Sequence, residues 1–305
     1  MGTLFTITLH APDESTARAA VQAAFQRVAA LNRVMTDYDP ESELMQLRQH
    51  PVGQPVPVSE DLFDVWQRAQ RVSALSDGAF DVTVGPLVQL WRRARRQRAL
   101  PAPERIAEAA RAVGYQKLRL DARRRTVALL APDMRLDLGG IAKGYAADQA
   151  LAVLRRRGLR SAMVAASGDI AIGDPPPGEQ AWRIGIASID AGGNELTRIV
   201  LLHNAAVSTS GDTEQFVEIG GVRYSHIVDP KTGVGLTNRI GVTIIARDAT
   251  TTDSLATAVS VMGVARGMKL VESIPGISAL LVTLDDKGRK TVTESQSFKK
   301  IPTPR

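Results

Sequence analysis

Residues 3–9, "TLFTITL", alternate apolar and polar positions with a period of two, the pattern of a half-buried strand. From 14 to 35 the period changes. "ESTARAAVQAAFQRVAALNRVM" sets Ala, Val, Phe and Leu at helical spacing, with Asp13 placed to cap the helix. "SEDLFDVWQRAQRVSAL" (59–75) predicts a second helix capped by Ser59. "APERIAEAARAVG" (102–114) predicts a third, with Pro103 near its start and Gly114 past its end. Between them, "SDGAFDVTVGPLVQLW" (76–91) opens as a polar turn and becomes apolar. The texture then shifts: "KLRLD", "TVALLA" and "RLDL" predict short strands joined by tight turns. "GGIAKGYAADQALAVLRRRG" (139–158) predicts a helix approached through glycines and closed by Gly158. "SAMVAAS", "WRIGIAS", "RIVLLHN", "AVSTS" and "IGVTIIAR" predict further strands, and "GDPPPGEQ" (173–180) a surface loop. The helix "TTDSLATAVSVMG" and another from Val264 follow, and the strands "ISALLVTL" and "KTVTES" close the chain. Helices dominate early and strands late, without regular βαβ alternation. That order predicts α+β layers and argues against a doubly wound parallel sheet.

The 305 residues suffice for one large domain or two small ones with a real core. With no internal repeat, a single domain is expected, with sub-lobes of about 1–130 and 131–305. No apolar run approaches the length needed to span a bilayer. Cysteine is absent, which excludes disulfides and thiolate sites for zinc or iron–sulfur clusters. The net charge of +6 includes arginine runs at 92–98, 123–125 and 155–157. These runs are far apart and lack interleaved aromatics for base stacking. They read as solvated helix ends and turns, and no nucleic-acid partner is expected.

Three stretches could carry chemistry. In "RLDLGGIAKGYAAD" (135–148) a strand runs into Gly139 and Gly140 and a helix begins. Free N–H groups there make a phosphate seat, and Lys143 could reach an anion bound in it; the plain alternative is a glycine-softened turn with a solvated lysine. "STSGD" (208–212) offers Ser208, Thr209 and Ser210 as phosphate contacts or turn formers. His226 stands before the turn "DPKTG", either as a structural residue or as a catalyst, and Ser210, His226 and Asp229 assemble a triad only on paper. In "TTDSLATA", Asp253 and Thr257 share a helix face, roughly 6 Å apart between Cβ atoms. A carboxylate plus a hydroxyl suits magnesium, which prefers few protein oxygens beside phosphate and water. The same residues could be ordinary: Thr251, Thr252 or Asp253 as the N-cap, and Thr257 bonding back to its own helix.

Taken together, the stretches resemble the ApbE family, the FAD:protein FMN transferases. The resemblance rests on "MGTLFTITL", "MTDYDPESEL" (35–44), "SDGAFDVTVGPLVQLW" (76–91), "LDLGGIAKGYAAD" (136–148), "SGD" (167–169), "VSTSGD" (207–212), "HIVDPKTG" (226–233) and "DATTTDSLATAVSVMG" (248–263). "ASGD" stands where the family often has "GGD", and "TTDSLATA" where it often has "ADALATA". The resemblance implies an ApbE-like fold of antiparallel or mixed sheets flanked by helices. It implies FAD as substrate and Mg2+ as cofactor, with Asp253, Thr257 and the carbonyl of Gly140 as metal ligands. Met1, Tyr38, Ala79, Phe80, Asp81, Asp137, Lys143 and Ile227 would touch flavin or adenylate. His226 would be the general base, and Asp253 would serve catalysis through the metal.

The implied reaction moves FMN from FAD to a Ser or Thr hydroxyl of an acceptor flavoprotein, of the kind found in membrane redox complexes, and releases AMP. Hydrolysis of FAD to FMN and AMP at the same site is the alternative; a non-catalytic flavin carrier is a third reading. "TSGDT" (209–213) only partly resembles the acceptors' Ser/Thr–Gly–Ala–Thr type of motif, so the acceptor is expected to be another protein. The family is commonly exported, which implies a periplasmic or membrane-anchored native form, although no lipobox cysteine is present and the residues alone leave localisation open.

Overall fold

The computed structural model describes residues 2–187, 196–211, 215–285 and 287–304. Strand β1 (Phe5–Leu9) leads into α1 (Glu14–Met35), whose cap is Asp13: its Oδ1 accepts from the N–H of Thr16 at 2.8 Å. After the single turn α2 (Glu43–Gln46) and β2 (Val56–Pro57), Ser59 caps α3 (Glu60–Leu75). The apolar part of 76–91 becomes α4 (Gly85–Gln97), followed by α5 (Pro103–Ala110). Strands β3 (Leu118–Asp121) and β4 (Thr126–Leu129) form a small sheet with β2, in the order β2-β4-β3.

The strand expected at "RLDL" does not form. Arg135 makes one isolated parallel bridge to Val84, and the N–H of Asp137 donates to the carbonyl of Val82 at 2.7 Å. The segment is pressed against the start of α4: a Cβ on Gly85 would stand 2.5 Å from the carbonyl oxygen of Arg135. It then turns at once into α6 (Ala142–Arg156).

The rest of the chain builds the main sheet. Its strands are β5 (Ala162–Ala166), β6 (Asp169–Ile172), β9 (Ala206–Ser210), β12 (Arg239–Ala246), β13 (Ser278–Leu284) and β14 (Lys290–Glu294). A ribbon of β7 (Trp182–Ala187) and β8 (Leu196–Leu202) and a hairpin of β10 (Phe216–Ile219) and β11 (Val222–Ser225) stand apart. The seven-stranded order is β1-β5-β6-β9-β12-β13-β14, and every neighbouring pair is antiparallel. Strand β1 thus completes a sheet made by the later part of the chain.

The short strand at 169–172 escapes the sequence pattern because the sheet is covered on both faces. Val242 and Ile244 of β12 join a core with α3, α6 and α7 (Ala249–Ser273), while Ile245 faces Trp182, Ile184 and Phe298. Strands buried on both sides lose the alternation that marks an exposed one. Each fully buried Leu, Ile or Val in these layers contributes roughly 1.5–3 kcal/mol.

The first half of helix α7 is buried: Thr252, Asp253, Ser254, Leu255, Ala256, Ala258 and Val259 all lie inside the fold. Taken whole, it has the length and apolarity of a membrane-crossing helix, where the sequence pattern gave no run of that length. It is a core helix broken at Gly263 (φ 74°, ψ 177°), so the second helix expected from Val264 is present beyond the break. Helices α6 and α7 meet at Gly144, where a Cβ would come within 2.0 Å of the carbonyl oxygen of Ala249. Only glycine allows backbones that close.

Candidate active site

The start of α7 is capped twice over, by residues other than those the sequence suggested. Asp248 is the N-cap, with Oδ1 accepting from the N–H of Thr251 at 3.0 Å. Asp148 of α6 accepts from the N–H groups of Ala249 and Thr250, each at 2.8 Å, and from the Thr250 hydroxyl at 2.6 Å. Capping by Thr251, Thr252 or Asp253 is therefore corrected: the extended backbone needed for a cap falls at Asp248 (φ −139°, ψ 151°). Asp253 lies inside the helix and is free for another task.

That task is visible in its neighbours. Asp253 is buried, 4 % exposed, which a lone carboxylate would not tolerate. Its Oδ2 accepts from the N–H of Gly144 at 3.0 Å, and its Oδ1 accepts from Lys143 Nζ at 3.0 Å. The same ammonium reaches Asp169 Oδ2 at 3.0 Å and the carbonyl of Gly139 at 3.0 Å. Burial, then the charge of Asp169, pushes Asp253 up to about 7 against the pull of Lys143 and Gly144. Burial acts to lower the Lys143 ammonium, but Asp253 and Asp169 outweigh it and hold it above the usual lysine range. Lys143 is thus no solvated side chain. Asp169 is the residue that sequence reasoning missed; "SGD" was the signal, but the strand that presents it was not foreseen.

Thr257 sits one turn after Asp253. A Cβ on Gly140 would stand 2.8 Å from Thr257 Oγ1 and 3.2 Å from the ring edge of Phe80. Ser254 and Ser260 bond back to helix carbonyls, at 2.8 Å each. Thr257 does not; among the described residues its hydroxyl has no partner. The back-bonding alternative is set aside by this contrast. At the start of α6, which has no side-chain cap, the N–H groups of Gly140 and Lys143 also lack an acceptor among the described residues. A carboxylate, an unpartnered hydroxyl and a glycine backbone therefore converge beside free N–H donors. No cluster of three His, Cys, Asp or Glu side chains able to hold a metal occurs among the described residues. The donor set fits a hard cation that shares its shell with phosphate and water, and does not fit zinc.

A second group lines the approach. Asp137 Oδ1 accepts from the N–H of Gly139 at 2.8 Å, and Oδ2 pairs with Arg92 at 3.0 Å. Burial, then Asp37, raises Asp137 above the usual carboxylate range. Arg92 also pairs with Asp37 and lies 4.7 Å over the ring of Tyr38, which is 72 % exposed. Tyr38 and Arg92 open onto a cavity of about 730 Å³ whose opposite wall is β10. His226 follows the last residue of β11 (Val222–Ser225), beside Gln215 just before β10. Its N–H donates to the carbonyl of Gln215 at 3.0 Å, and its Nδ1 lies 3.1 Å from the same oxygen. A carbonyl only accepts, so Nδ1 carries a proton. The triad is not assembled, because Asp229 Oδ1 accepts from the N–H of Lys231 inside its own turn. That turn is tied to the loop before Ala79 by the Lys231–Asp77 ion pair, and to α4 by Trp91 Nε1 donating to the carbonyl of Gly233 at 2.8 Å.

The remaining candidates divide. Ala79 and Phe80 are buried, with Phe80 against Gly140, and Ile227 is buried beside His226. Asp81 turns its carboxylate into its own loop, accepting from the N–H and hydroxyl of Thr83 at 2.8 and 2.7 Å. Ser208 and Thr209 spend their hydroxyls on Thr252 and Thr243, at 2.7 and 3.0 Å, so their place is structural. Met1 and residues 212–213 of "TSGDT" lie outside the described residues.

Comparison with known proteins gives the family. A model described as the ApbE family matches residues 1–281. An FAD:protein FMN transferase of Vibrio cholerae is 35% identical over 272 residues, 88% of this chain and 80% of its own. The solved flavin transferase ApbE from Vibrio cholerae superposes with a TM-score of 0.87 at 33% identity, covering 99% of this chain and 96% of that one. The solved ApbE protein from Thermotoga maritima gives 0.85 at 33% identity, covering 98% and 95%. With a family model matched over most of its length and the α+β layers of solved members reproduced, the chain belongs to the ApbE family.

Proposed function

We propose that the protein transfers the FMN half of FAD to a Ser or Thr hydroxyl of an acceptor protein, with magnesium as cofactor. One observation carries the reading: in a helix whose other Ser and Thr hydroxyls are all bonded, Thr257 alone keeps its hydroxyl unpartnered, beside Gly140 and one turn from Asp253. The relatives named FAD:protein FMN transferase support the substrate and the class of acceptor.

Asp253, Thr257 and the carbonyl of Gly140 would hold the magnesium, which when bound supplies positive charge at the pyrophosphate. The free N–H groups of Gly140 and Lys143 and the Lys143 ammonium seat phosphate oxygens. His226 Nε2 takes the proton from the acceptor hydroxyl as its oxygen bonds to the FMN phosphorus. The phosphoanhydride bond to the adenylate breaks, and AMP leaves with the electron pair. Transfer of this kind needs in-line positioning and charge neutralisation more than covalent help from the enzyme.

Incubation with FAD, magnesium and a peptide bearing a Thr–Gly–Ala–Thr motif tests the reading. The peptide should gain the mass of FMN as AMP appears in equal amount. AMP and free FMN with an unmodified peptide would instead establish hydrolysis.

A further inference from the structure

Of the arginine run 92–98, Arg92 is spent on the site described above, through Asp37 and Asp137. Arg95, Arg96 and Arg98 line the same cavity, yet none of their side chains has an ion pair or hydrogen bond among the described residues. Arg98 also holds a left-handed backbone (φ 50°, ψ 40°) at the end of α4, where glycine would be more at ease. Glu218 is the one carboxylate among the cavity's lining residues, and it forms no ion pair with the arginines among the described residues. The cavity mouth is therefore strongly basic on its α4 side.

FAD does not account for this charge. On the transferase reading its pyrophosphate is met by Lys143 and the Gly140 N–H at the start of α6, and neither residue lines this cavity. A second feature points to a peptide. Among the described residues, β10 pairs only with β11, so its other edge is open where Phe216, Val217 and Glu218 line the cavity. Open edges accept an extended segment by main-chain hydrogen bonds. The residue before this edge, Gln215, holds both the N–H and Nδ1 of His226. A strand laid along β10 would arrive at the histidine.

We propose that Arg95, Arg96 and Arg98 dock an acidic segment of the acceptor protein at the cavity mouth, and so deliver the neighbouring Ser or Thr along β10 to His226. The proposal rests on the transferase reading for the identity of the partner. Charge complementarity of this kind sets partner choice and association rate, and it fades with salt.

Labelled peptides with a central Thr–Gly–Ala–Thr and short Asp, Asn or Lys flanks test it by fluorescence anisotropy, on the wild type and on Arg96→Glu/Arg98→Glu. The Asp-flanked peptide should bind about tenfold tighter than the Asn-flanked one at low salt. The advantage should vanish in the double variant and at about 0.5 M salt, while FAD affinity stays unchanged. Equal binding of Asp and Asn flanks, or an advantage that survives in the variant, overturns the proposal. So does a loss of FAD affinity in the variant, which would assign the arginines to the nucleotide. Flavin transfer is read separately by mass: arginine-dependent binding with no FMN gained on any peptide would refute the transferase reading and leave the dock standing.

Discussion

The main-chain N–H of Gly144 donates to Asp253 Oδ2 over 3.0 Å, where the backbone of α6 comes close to that of α7 at Ala249. The bond fixes the buried carboxylate relative to Gly140, four residues earlier. Gly144→Ala should break both relations, since the added Cβ would meet the Ala249 carbonyl at 2.0 Å. Forcing the helices apart should cost about 1–3 kcal/mol of stability. It should also weaken the magnesium response of AMP release far more than a surface substitution of equal cost, with thermal unfolding and magnesium titration as the two readouts.

Thr257 gives a cleaner separation of fold and function. Because its hydroxyl bonds nothing in the described structure, Thr257→Val keeps the shape and forfeits no internal hydrogen bond. Stability should stay within about 0.5 kcal/mol of wild type, while the magnesium concentration needed for half-maximal activity rises at least about tenfold. A large drop in melting temperature with unchanged magnesium dependence would return Thr257 to the structural role.

Much of this was legible from residue patterns. Helices capped by Asp13 and Ser59 announced themselves, because an oxygen acceptor precedes a clear apolar period. So did the convergence of Gly140, Lys143, Asp253 and Thr257, through the ordered motifs. The cap of α7 did not, because three threonines and two aspartates within six residues offer equivalent acceptors, and only the backbone at Asp248 decides among them. Asp169 and the Gln215 carbonyl were hidden for another reason. Their partners, Lys143 and His226, are 26 and 11 residues away in sequence and meet them only through strand pairing and a hairpin.

Asp148 supplies a pH test. Burial pushes its carboxyl up to about 6 from 3.8, despite its bonds to Thr250 and Ala249. A carboxyl raised in the fold binds its proton more tightly there than in the unfolded chain. Its contribution is then complete below pH 3.8 and is lost as pH rises through about 6. The stability of the wild type relative to Asp148→Asn should therefore fall by roughly 1–3 kcal/mol between pH 4 and pH 7. Denaturant melts of the two proteins at matched pH measure the difference directly. A gap that widens with pH would show that the ionised carboxylate is the better cap.

His226 is held by one oxygen through two of its atoms, so its ring is oriented before any substrate binds. Nδ1 donates to the Gln215 carbonyl, and in the proposed mechanism Nε2 accepts the proton. His226→Ala should lower turnover with a peptide acceptor by about 10²–10⁴-fold, the usual worth of a positioned general base. FAD affinity, read from flavin fluorescence, should remain within about twofold, because the groups proposed to seat phosphate lie at the start of α6 and not on this wall. Gln at 226 can restore a hydrogen bond to the loop but cannot take a proton, so His226→Gln should be as slow as the alanine variant. Recovery of activity in the glutamine variant alone would mean that His226 orients the loop before β12 and is not the base.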